Sequence, residues 1–582
     1  MNKARFVALM FVAAVLAGSF AGVSPALAGA ATVPVQGDEA VQFGRLAMGV
    51  HGAVVSVDGH ATRVGLEILR DGGNAIDAAI AVGLALAVTH PQAGNLGGGG
   101  FMVVYLAGED RYTTLDFREV APSAANAQMY LGEDGRPVRG LNYVGWKAVG
   151  VPGTVAGFEA AHRWGRLEWA DLVQPAIDLA AGGFWVDPYL AASFERVAPA
   201  FQRYAGSADA FLNDDGGAYS AGELFVQPDL AWSLRQIADG GADAFYRGPI
   251  AERIVAAMEV NEGLIRAADL AEYKPVEREP VRGTYRGWEI ISMGPPSSGG
   301  IMLVGMLNIL ENFEMTDLDP TGAPLAHMLI ESMRQAYLDR ATYLGDSDFH
   351  DVPVAWLTSK ARAAELAAAI PVGRARRSLD LGAAILTPPE SPETTHYSVV
   401  DAEGNAVSTT YTIEAGFGAK VVAPGTGFLL NNEMGDFNVW PGMTDARGYV
   451  GTEANRIAPG KRPLSSMTPT ILARAGKPVA LLGSPGGKTI INTVLRLIVN
   501  LVDFEMDLAA AIDAPRIHHQ WMPDLVRLES GFAAASATAL QDMGHELGRG
   551  RTQGDAHCIW IYPQGARLAV ADRRRSGAAA AY

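Results

Sequence analysis

Cysteine is almost absent from the chain of 582 residues, which contains Cys558 alone. A single cysteine excludes an intrachain disulfide and a zinc site built from cysteine ligands. Cys558 lies next to the apolar residues 559–561, a setting typical of a small, buried hydrophobic side chain. The fold must therefore be held by its core rather than by covalent crosslinks.

Positive charge is also scarce, because 46 Lys and Arg stand against 63 Asp and Glu, giving a net charge of -17. Proteins bind nucleic acids largely by neutralising phosphates with cationic side chains. No basic stripe along the sequence offsets the overall deficit. We therefore expect no nucleic-acid partner and look instead for a small-molecule substrate.

Long apolar runs are missing too. The N-terminal apolar run, residues 6–20, is shorter than the ~20 residues that a membrane-spanning helix needs. Two basic residues precede it, and residues 26–28 read Ala-Leu-Ala, the layout of a secretory signal peptide. We expect residues 1–28 to be removed and the mature chain to be periplasmic or secreted, without stable membrane association. A retained membrane anchor is the alternative.

Several common catalytic motifs are lacking. No Gly-x-Ser-x-Gly elbow indicates a serine hydrolase, and no His-Glu-x-x-His spacing supports a metal site. His518 and His519 are therefore interpreted as structural. The glycine run 97–100 leads into an apolar strand at 101–105 rather than opening a helix, which argues against dinucleotide binding. We expect neither a cofactor nor a metal.

What is present is a proline-rich segment that ends at a threonine. Three prolines within residues 387–392 exclude a helix and a central strand, and favour an exposed segment suited to cleavage. Thr394 follows almost directly, which is also compatible with an ordinary junction between a loop and a strand. Alternatively, cleavage of the Glu393–Thr394 bond makes Thr394 a new N-terminus. Its hydroxyl would be the nucleophile, and its α-amine, with a pKa of roughly 7.7–8.0, the base.

The segment after Thr394 is rich in β-structure signals. Strands are predicted at 395–400 and 406–413, and in the second strand Ser408, Thr410 and Thr412 share one face. A row of hydroxyl groups is poorly suited to an apolar core. This face is therefore predicted to line a polar site.

A glycine-rich loop at 483–487 follows a predicted strand and precedes a predicted helix near Thr489. Consecutive glycines allow backbone N–H groups to converge on one point, and the helix dipole adds positive potential. An oxyanion hole, a plain turn and a phosphate-cradling loop all remain possible, although the spacing is not that of a nucleotide P-loop.

Three polar clusters could recognise the head group of an amino acid. Arg118 follows a predicted strand, residues 431–437 concentrate amides and acids after a predicted apolar strand at 428–430, and residues 461–467 contain paired hydroxyls. An arginine with hydroxyls suits a carboxylate, and acids suit an ammonium group. Each cluster alone is explained more simply by polar side chains that are solvated at the surface or that cap nearby backbone groups.

Taken in order, these segments resemble the γ-glutamyltransferase (γ-glutamyltranspeptidase) family, and the resemblance spans almost the whole mature chain. Its matching strings include Asp116-Phe117-Arg118-Glu119, Pro295-Pro296-Ser297-Ser298, Asn431-Asn432-Glu433-Met434 and Gly483-Ser484-Pro485-Gly486-Gly487. The most specific are Thr394-Thr395-His396-Tyr397 and Pro463-Leu464-Ser465-Ser466-Met467, in this order. The resemblance implies an α+β fold of the N-terminal nucleophile hydrolase type, a four-layer αββα sandwich with two stacked, mostly antiparallel sheets. It also implies a precursor that cuts itself into a large subunit, 29–393, and a small subunit, 394–582, which form one intertwined domain.

The resemblance also implies roles for single residues. Thr394 would be the nucleophile, oriented by Thr412, and Gly486 with Gly487 would form the oxyanion hole. Arg118, Ser465 and Ser466 would bind the α-carboxylate of the substrate. Glu414, Glu433 and Asp436 would bind its α-ammonium. The implied reaction transfers a γ-glutamyl group, for example from glutathione, through an ester on Thr394 to water, an amino acid or a peptide.

The chain departs from the family pattern at a few positions. Glu414 stands where many members have asparagine, and Gly435 stands where an acid often precedes the aspartate. Arg447, in a segment that resembles a lid, falls where some bacterial members have tyrosine. These differences bear on the choice of acceptor and on the balance of hydrolysis and transfer.

Other functions remain as alternatives. A glutaryl acylase of the cephalosporin type shares the superfamily, but its substrate lacks the α-amine that three carboxylates would bind. A poly-γ-glutamate depolymerase would need an open groove, which the lid-like segment disfavours. A catalytically inactive, exported binding protein would be expected to lack Thr394 or the glycine pair, and both are present.

Overall fold

The structure is a computed structural model, and it describes residues 41–382, 393–440 and 452–582. The expected signal peptide, the proline-rich segment 387–392 and Arg447 lie outside the described residues. Across the described ranges, no helix combines the length and apolar character that crossing a membrane requires.

Most of the β-structure is in two large sheets. The strands in chain order are β1 Gln42–Gly44, β2 Leu46–Gly49, β3 Ala53–Ser56, β4 Gly99–Leu106, β5 Arg111–Asp116, β6 Phe184–Trp185, β7 Leu224–Phe225, β8 Val276–Arg278, β9 Val281–Tyr285, β10 Trp288–Ser292, β11 Thr395–Val400, β12 Ala406–Thr412, β13 Thr470–Arg474, β14 Lys477–Leu482, β15 Ile517–His518, β16 Arg527–Leu528, β17 His557–Ile561, β18 Arg567–Ala571 and β19 Ala578–Ala581.

The helices cover the outer faces of these sheets. They are α1 Gly59–Arg70, α2 Ala75–Thr89, α3 Thr154–His162, α4 Trp169–Gly182, α5 Pro188–Phe201, α6 Ala205–Phe211, α7 Pro228–Tyr246, α8 Pro249–Val260, α9 Ala267–Glu272, α10 Gly299–Leu310, α11 Ala323–Tyr343, α12 Val354–Leu357, α13 Lys360–Ala368, α14 Ser378–Leu381, α15 Thr489–Val502, α16 Leu508–Asp513 and α17 Ala534–Asp542, with short 3₁₀ helices at Trp146–Ala148 and Glu433–Asp436.

The two sheets stack face to face. One has the order β1-β19-β3-β11-β12-β4-β5-β8 and the other β2-β18-β17-β14-β13-β10-β9, and neighbouring strands in both are antiparallel. A buried apolar layer between them includes Val55, Ile291, Leu481 and Ala569. Separate cores join α1, α2 and α4 to the first sheet and α10, α11 and α15 to the second. The expected four-layer αββα sandwich of the N-terminal nucleophile hydrolase type is confirmed.

Strands from both sides of Thr394 alternate in the first sheet. β11 and β12 lie between β3 and β4, with Thr395 opposite Tyr411 in one pairing and Thr412 opposite Gly99 in the next. The glycine run fits this close pairing, because a Cβ atom at Gly98 would lie 2.1 Å from the carbonyl oxygen of Thr412. The centre of the sheet therefore needs both halves of the chain.

Local signals predicted several elements correctly. The apolar segment expected as a buried helix is α2, whose N-terminus carries a capping box between Asn74 and Asp77. One expectation is wrong, since residues 428–430 form no strand and make only isolated bridges, Val422 with Leu429 and Gly97 with Leu430. Glycines with positive φ at 425 and 427 turn the chain before an extended run can form.

Candidate active site

Thr394 lies directly before β11, and its side chain is buried. Its Oγ1 donates a hydrogen bond of 2.6 Å to the carbonyl oxygen of Glu393 and contacts Thr412 Oγ1 at 3.3 Å. Thr412 Oγ1 in turn lies 3.4 Å from the Glu393 carbonyl oxygen. Two hydroxyl groups therefore converge on the peptide bond that was predicted to be cut.

The polar face of β12 has two kinds of neighbour. At its end, Thr412 lies beside Thr394, and the backbone N–H of Glu414 donates to Thr412 Oγ1 at 2.9 Å. Further along, Thr410 Oγ1 contacts His396 Nδ1 at 2.8 Å, and Ser408 bonds to the second sheet. The prediction of a polar site thus holds for the end of the strand, whereas the other hydroxyls join groups buried between the sheets.

Arg118 is the centre of a buried cluster of charges. Its Nη1 pairs closely with Glu433, its Nη2 lies 2.6 Å from Asp436 Oδ2, and Glu119 Oε2 lies 3.7 Å from Nη1. Glu414 accepts a hydrogen bond of 2.6 Å from Asn432 Nδ2 and faces the same cavity. One guanidinium is thus surrounded by more negative charge than it can neutralise.

Burial decides the pKa values in this cluster. It raises the pKa of the Glu119 carboxyl to about 7, although Arg118 opposes the shift. It also raises the pKa of Glu433, helped by repulsion from Glu119 and Glu414. Burial alone would lower the pKa of Arg118, but the charges of Glu433 and Asp436 outweigh it and raise that pKa. The guanidinium therefore stays charged. Ionisation of one buried carboxyl group makes ionisation of its neighbours less favourable.

Ser465 and Ser466 line the same cavity as Arg118 and Thr394. Ser465 Oγ accepts a hydrogen bond from the backbone N–H of Met467, and Ser466 Oγ accepts one of 3.1 Å from Arg340 Nη2. Arg340 also donates to Ser298 Oγ at 3.0 Å. Sequence reasoning missed Arg340 because α11 is buried on nearly all sides, and its periodicity does not single out one polar residue.

The glycine-rich loop reaches the same place. Gly486 and Gly487 have φ values of 138° and 55°, which side chains with a Cβ rarely adopt. The loop leads into α15, so the positive end of the helix dipole is directed toward it. Gly487 borders the cavity beside Thr394, whereas Gly486 is not among the lining residues.

These groups line one cavity that opens toward solvent. It contains every predicted site residue except Gly486, and it is lined by Arg118, Glu393, Thr394, Thr412, Glu414, Glu433, Asp436, Ser465, Ser466, Met467, Gly487 and Ile490. The cavity is polar, and it sets the Thr394 hydroxyl beside groups of both charges.

Histidines elsewhere have structural contacts. His518 bonds to Asn492 and Gln520, and burial lowers its pKa to about 3, so the imidazole is neutral. His327, Glu331 and His545 bring one ligand atom each within 4.8 Å of the others. Glu331 is already paired with two guanidinium groups, from α11 and from the loop after α13, which disfavours a divalent cation there.

Fold and cavity together define the class. A four-layer αββα sandwich with a threonine at the start of a central strand, facing a polar cavity, is an N-terminal nucleophile hydrolase. The family model for γ-glutamyltranspeptidase matches residues 61–582. The chain belongs to the γ-glutamyltranspeptidase family and is an enzyme.

Relatives and solved structures agree with this assignment. The chain is 46% identical over 90% of its length, and 90% of the other chain, to a glutathione hydrolase proenzyme of Escherichia coli (strain K12). It is 40% identical to an acylase ACY 1 proenzyme of Pseudomonas sp. (strain SE83), over 91% of this chain and 93% of that one. The crystal structure of a cephalosporin acylase from Bacillus halodurans superposes with a TM-score of 0.80 at 27% identity, covering 96% of this chain and 99% of the other.

Proposed function

We propose that this protein is a self-processing γ-glutamyltransferase that cleaves the γ-glutamyl amide bond of glutathione and related compounds. The observation that carries the proposal is the pairing of Arg118 with Glu433 and Asp436 in the cavity that also holds Thr394. A γ-glutamyl group ends in an α-carboxylate and an α-ammonium, and this arrangement offers one partner for each.

Maturation would begin at the Glu393–Thr394 bond. Thr394 Oγ attacks the carbonyl carbon of Glu393, the C–N bond breaks, and the nitrogen keeps the proton that the hydroxyl loses. The resulting ester joins Glu393 to Thr394 Oγ, and water then hydrolyses it to a free carboxylate and a free hydroxyl. Thr412 Oγ1, 3.4 Å from the carbonyl oxygen, is placed to donate to the developing negative charge.

Two subunits would result, residues 29–393 and 394–582. The alternation of strands from both parts in the first sheet supports subunits that stay intertwined after the cut. Export of the mature protein to the periplasm or beyond the cell is part of the proposal, and rests on the features of residues 1–28.

Catalysis would reuse the same groups. The new α-amine of Thr394 takes the proton from its own hydroxyl, directly or through a water molecule, as Oγ attacks the γ-carbonyl of the donor. Backbone N–H groups of Gly486 and Gly487 would stabilise the oxyanion. Expulsion of the donor amine leaves a γ-glutamyl ester on Thr394. Water, an amino acid or a peptide then attacks this ester, accepts the γ-glutamyl group and frees the Thr394 hydroxyl.

The head group would be divided between two sides of the cavity. Arg118, Ser465 and Ser466 would hold the α-carboxylate, with Arg340 supporting Ser466 from behind. The α-ammonium would be held by acceptors from the loop after β12 and from the 3₁₀ helix, namely Glu414, Glu433 and Asp436.

A glutaryl acylase is the second candidate, since two of the similar proteins carry acylase names. A glutaryl group has no ammonium, so it would leave the buried carboxylates without a counter-charge other than Arg118. The comparison that tests the proposal is the release of aniline from a γ-glutamyl anilide and from a glutaryl anilide by purified protein. Preference for the γ-glutamyl compound supports the proposal, and preference for the glutaryl compound overturns it. Thr394→Ala should stay a single uncut chain without activity.

A further inference from the structure

An arginine close to the C-terminus reaches the residue before the predicted cut. Arg575 lies between β18 and β19, and its Nη1 donates to Glu393 Oε2 at 3.0 Å. The side chains are only 14% and 24% exposed, respectively. The guanidinium also lies 5.8 Å from the ring centre of Tyr189. An ion pair this sheltered is screened less than a surface pair.

The three consecutive arginines at this point have different partners. Arg573 is 64% exposed and lies 3.6 Å from Asp513, whereas Arg574 pairs with Glu529 at 2.6 Å and with Asp572. Those contacts stay within the part of the chain after Thr394. Arg575 is the member of the run that crosses the predicted cleavage point to the preceding residue.

The other side of Glu393 is also confined. A Cβ atom added at Gly416 would lie 3.0 Å from Glu393 Cγ, so the loop after β12 packs directly against this side chain. The loop and Arg575 together therefore limit how Glu393 can move. Since the carbonyl carbon of Glu393 is the atom that Thr394 must attack, this restraint acts on the reacting group itself.

We infer that Arg575 is a positioning residue for self-cleavage, holding Glu393 by its side chain so that its carbonyl stays beneath Thr394 Oγ1 and Thr412 Oγ1. The inference rests on the proposed cleavage at Glu393–Thr394. It assigns to this chain an anchor for maturation, an ion pair that needs both charges and whose arginine is not among the residues that line the cavity.

The test follows the rate at which purified precursor becomes two chains on a denaturing gel, with the cut located by mass spectrometry. Arg575→Gln should slow cleavage by about tenfold or more, because small displacements of a reacting group are costly. Arg575→Lys should retain part of the rate, since the charge remains but the fork geometry is lost. Arg573→Gln is the matched control and should cleave at the rate of the unchanged protein.

Glu393→Gln removes the other half of the pair and keeps the size of the side chain. If the ion pair is responsible, Arg575→Gln combined with Glu393→Gln is no slower than the slower single variant. If Arg575 only supports the fold, the double variant is slowed by the product of the factors found for the two single variants, and that result overturns the inference. Cleavage of Arg575→Gln within twofold of the unchanged protein overturns it as well.

These outcomes are distinct from failure of the proposed function. Absence of a cut before Thr394 in the unchanged protein would reject the self-processing proposal itself. A normal cut in the unchanged protein, with the same rate in Arg575→Gln, rejects only the role of Arg575. Thermal unfolding of each precursor identifies a variant that fails to fold. If Arg575→Gln does not fold, the cleavage rate of Glu393→Gln tests the inference instead, because the Glu393 side chain is the more exposed member of the pair. A normal cleavage rate in that variant overturns the inference, and slowing supports it.

Discussion

Replacing Glu433 by glutamine should weaken recognition of the α-ammonium group while leaving the cavity intact. Glu433 is buried and pairs with Arg118 through Oε1, while its Oε2 has no hydrogen-bond partner among the described residues. Glu433 also lines the cavity beside Thr394. Glutamine keeps the shape, and Arg118 keeps Asp436 at 2.6 Å, so the fold should tolerate Glu433→Gln.

The size of the effect follows from the loss of charge. A hydrogen bond to a charged group contributes about 1.5–3 kcal/mol and a neutral one about 0.5–1.5 kcal/mol. The difference of roughly 1–2 kcal/mol corresponds to about a 5- to 30-fold loss. We expect kcat/KM for a γ-glutamyl anilide to fall by this factor. A glutaryl anilide, which has no ammonium, should not lose activity.

The same cluster predicts a dependence on pH. Burial raises the pKa of the Glu119 carboxyl to about 7, and it also raises the pKa of Glu433. Below pH 7 Glu119 is mostly protonated, so the cluster carries less negative charge and attracts an ammonium less strongly. KM for the γ-glutamyl compound should therefore rise as the pH falls through about 7, and KM for the glutaryl compound should not follow it.

The assay is the ratio of kcat/KM for the two anilides, measured for each variant across pH. Asp503→Asn is the control, since Asp503 is a buried carboxylate that binds Arg286 and Tyr285 at the C-terminal end of α15, whereas the cavity borders the N-terminal end of that helix. It should affect stability without changing the ratio. A ratio in Glu433→Gln within twofold of that in the unchanged protein would refute the reasoning.

Two further predictions concern buried groups near the sheets. Gly483→Ala would place a Cβ atom 2.1 Å from the His396 ring, which Thr410 and Ser398 hold in place, so the free energy of unfolding measured with denaturant should fall by about 1–3 kcal/mol. Burial raises the pKa of the Cys558 thiol to about 12, and a thiol reagent at mildly alkaline pH should label it only as fast as the protein unfolds.

Local signals explain which parts of the fold could be predicted. β11 matches its predicted bounds, and α15 begins at Thr489 as expected, because alternation and the preceding glycines are visible within a few residues. Residues 428–430 were apolar and were expected to form a strand. Burial alone does not distinguish a strand from an irregular buried segment, and hydrogen bonds to distant residues decided this case.

The site was predictable as a set of residues but not as a set of contacts. Residue types and family strings identified Arg118, Glu433 and Asp436, but their pairing joins positions more than three hundred residues apart in the chain. The support of Ser466 by Arg340 and the contact of Arg575 with Glu393 carry no local signal. Such contacts depend on how the two sheets bring distant loops together.

The proposed head-group cavity brings together charges of both signs, as a zwitterion-binding site requires. The guanidinium of Arg118 pairs with Glu433 and Asp436, so this buried cation is not left without a counter-charge. When a γ-glutamyl head group enters, its carboxylate can replace these acids at Arg118, and its ammonium can replace Arg118 at the acids. Each charged group thus exchanges one opposite charge for another. A ligand with only the carboxylate completes half of this exchange, which is why the choice between γ-glutamyl and glutaryl compounds reports directly on how this cluster functions.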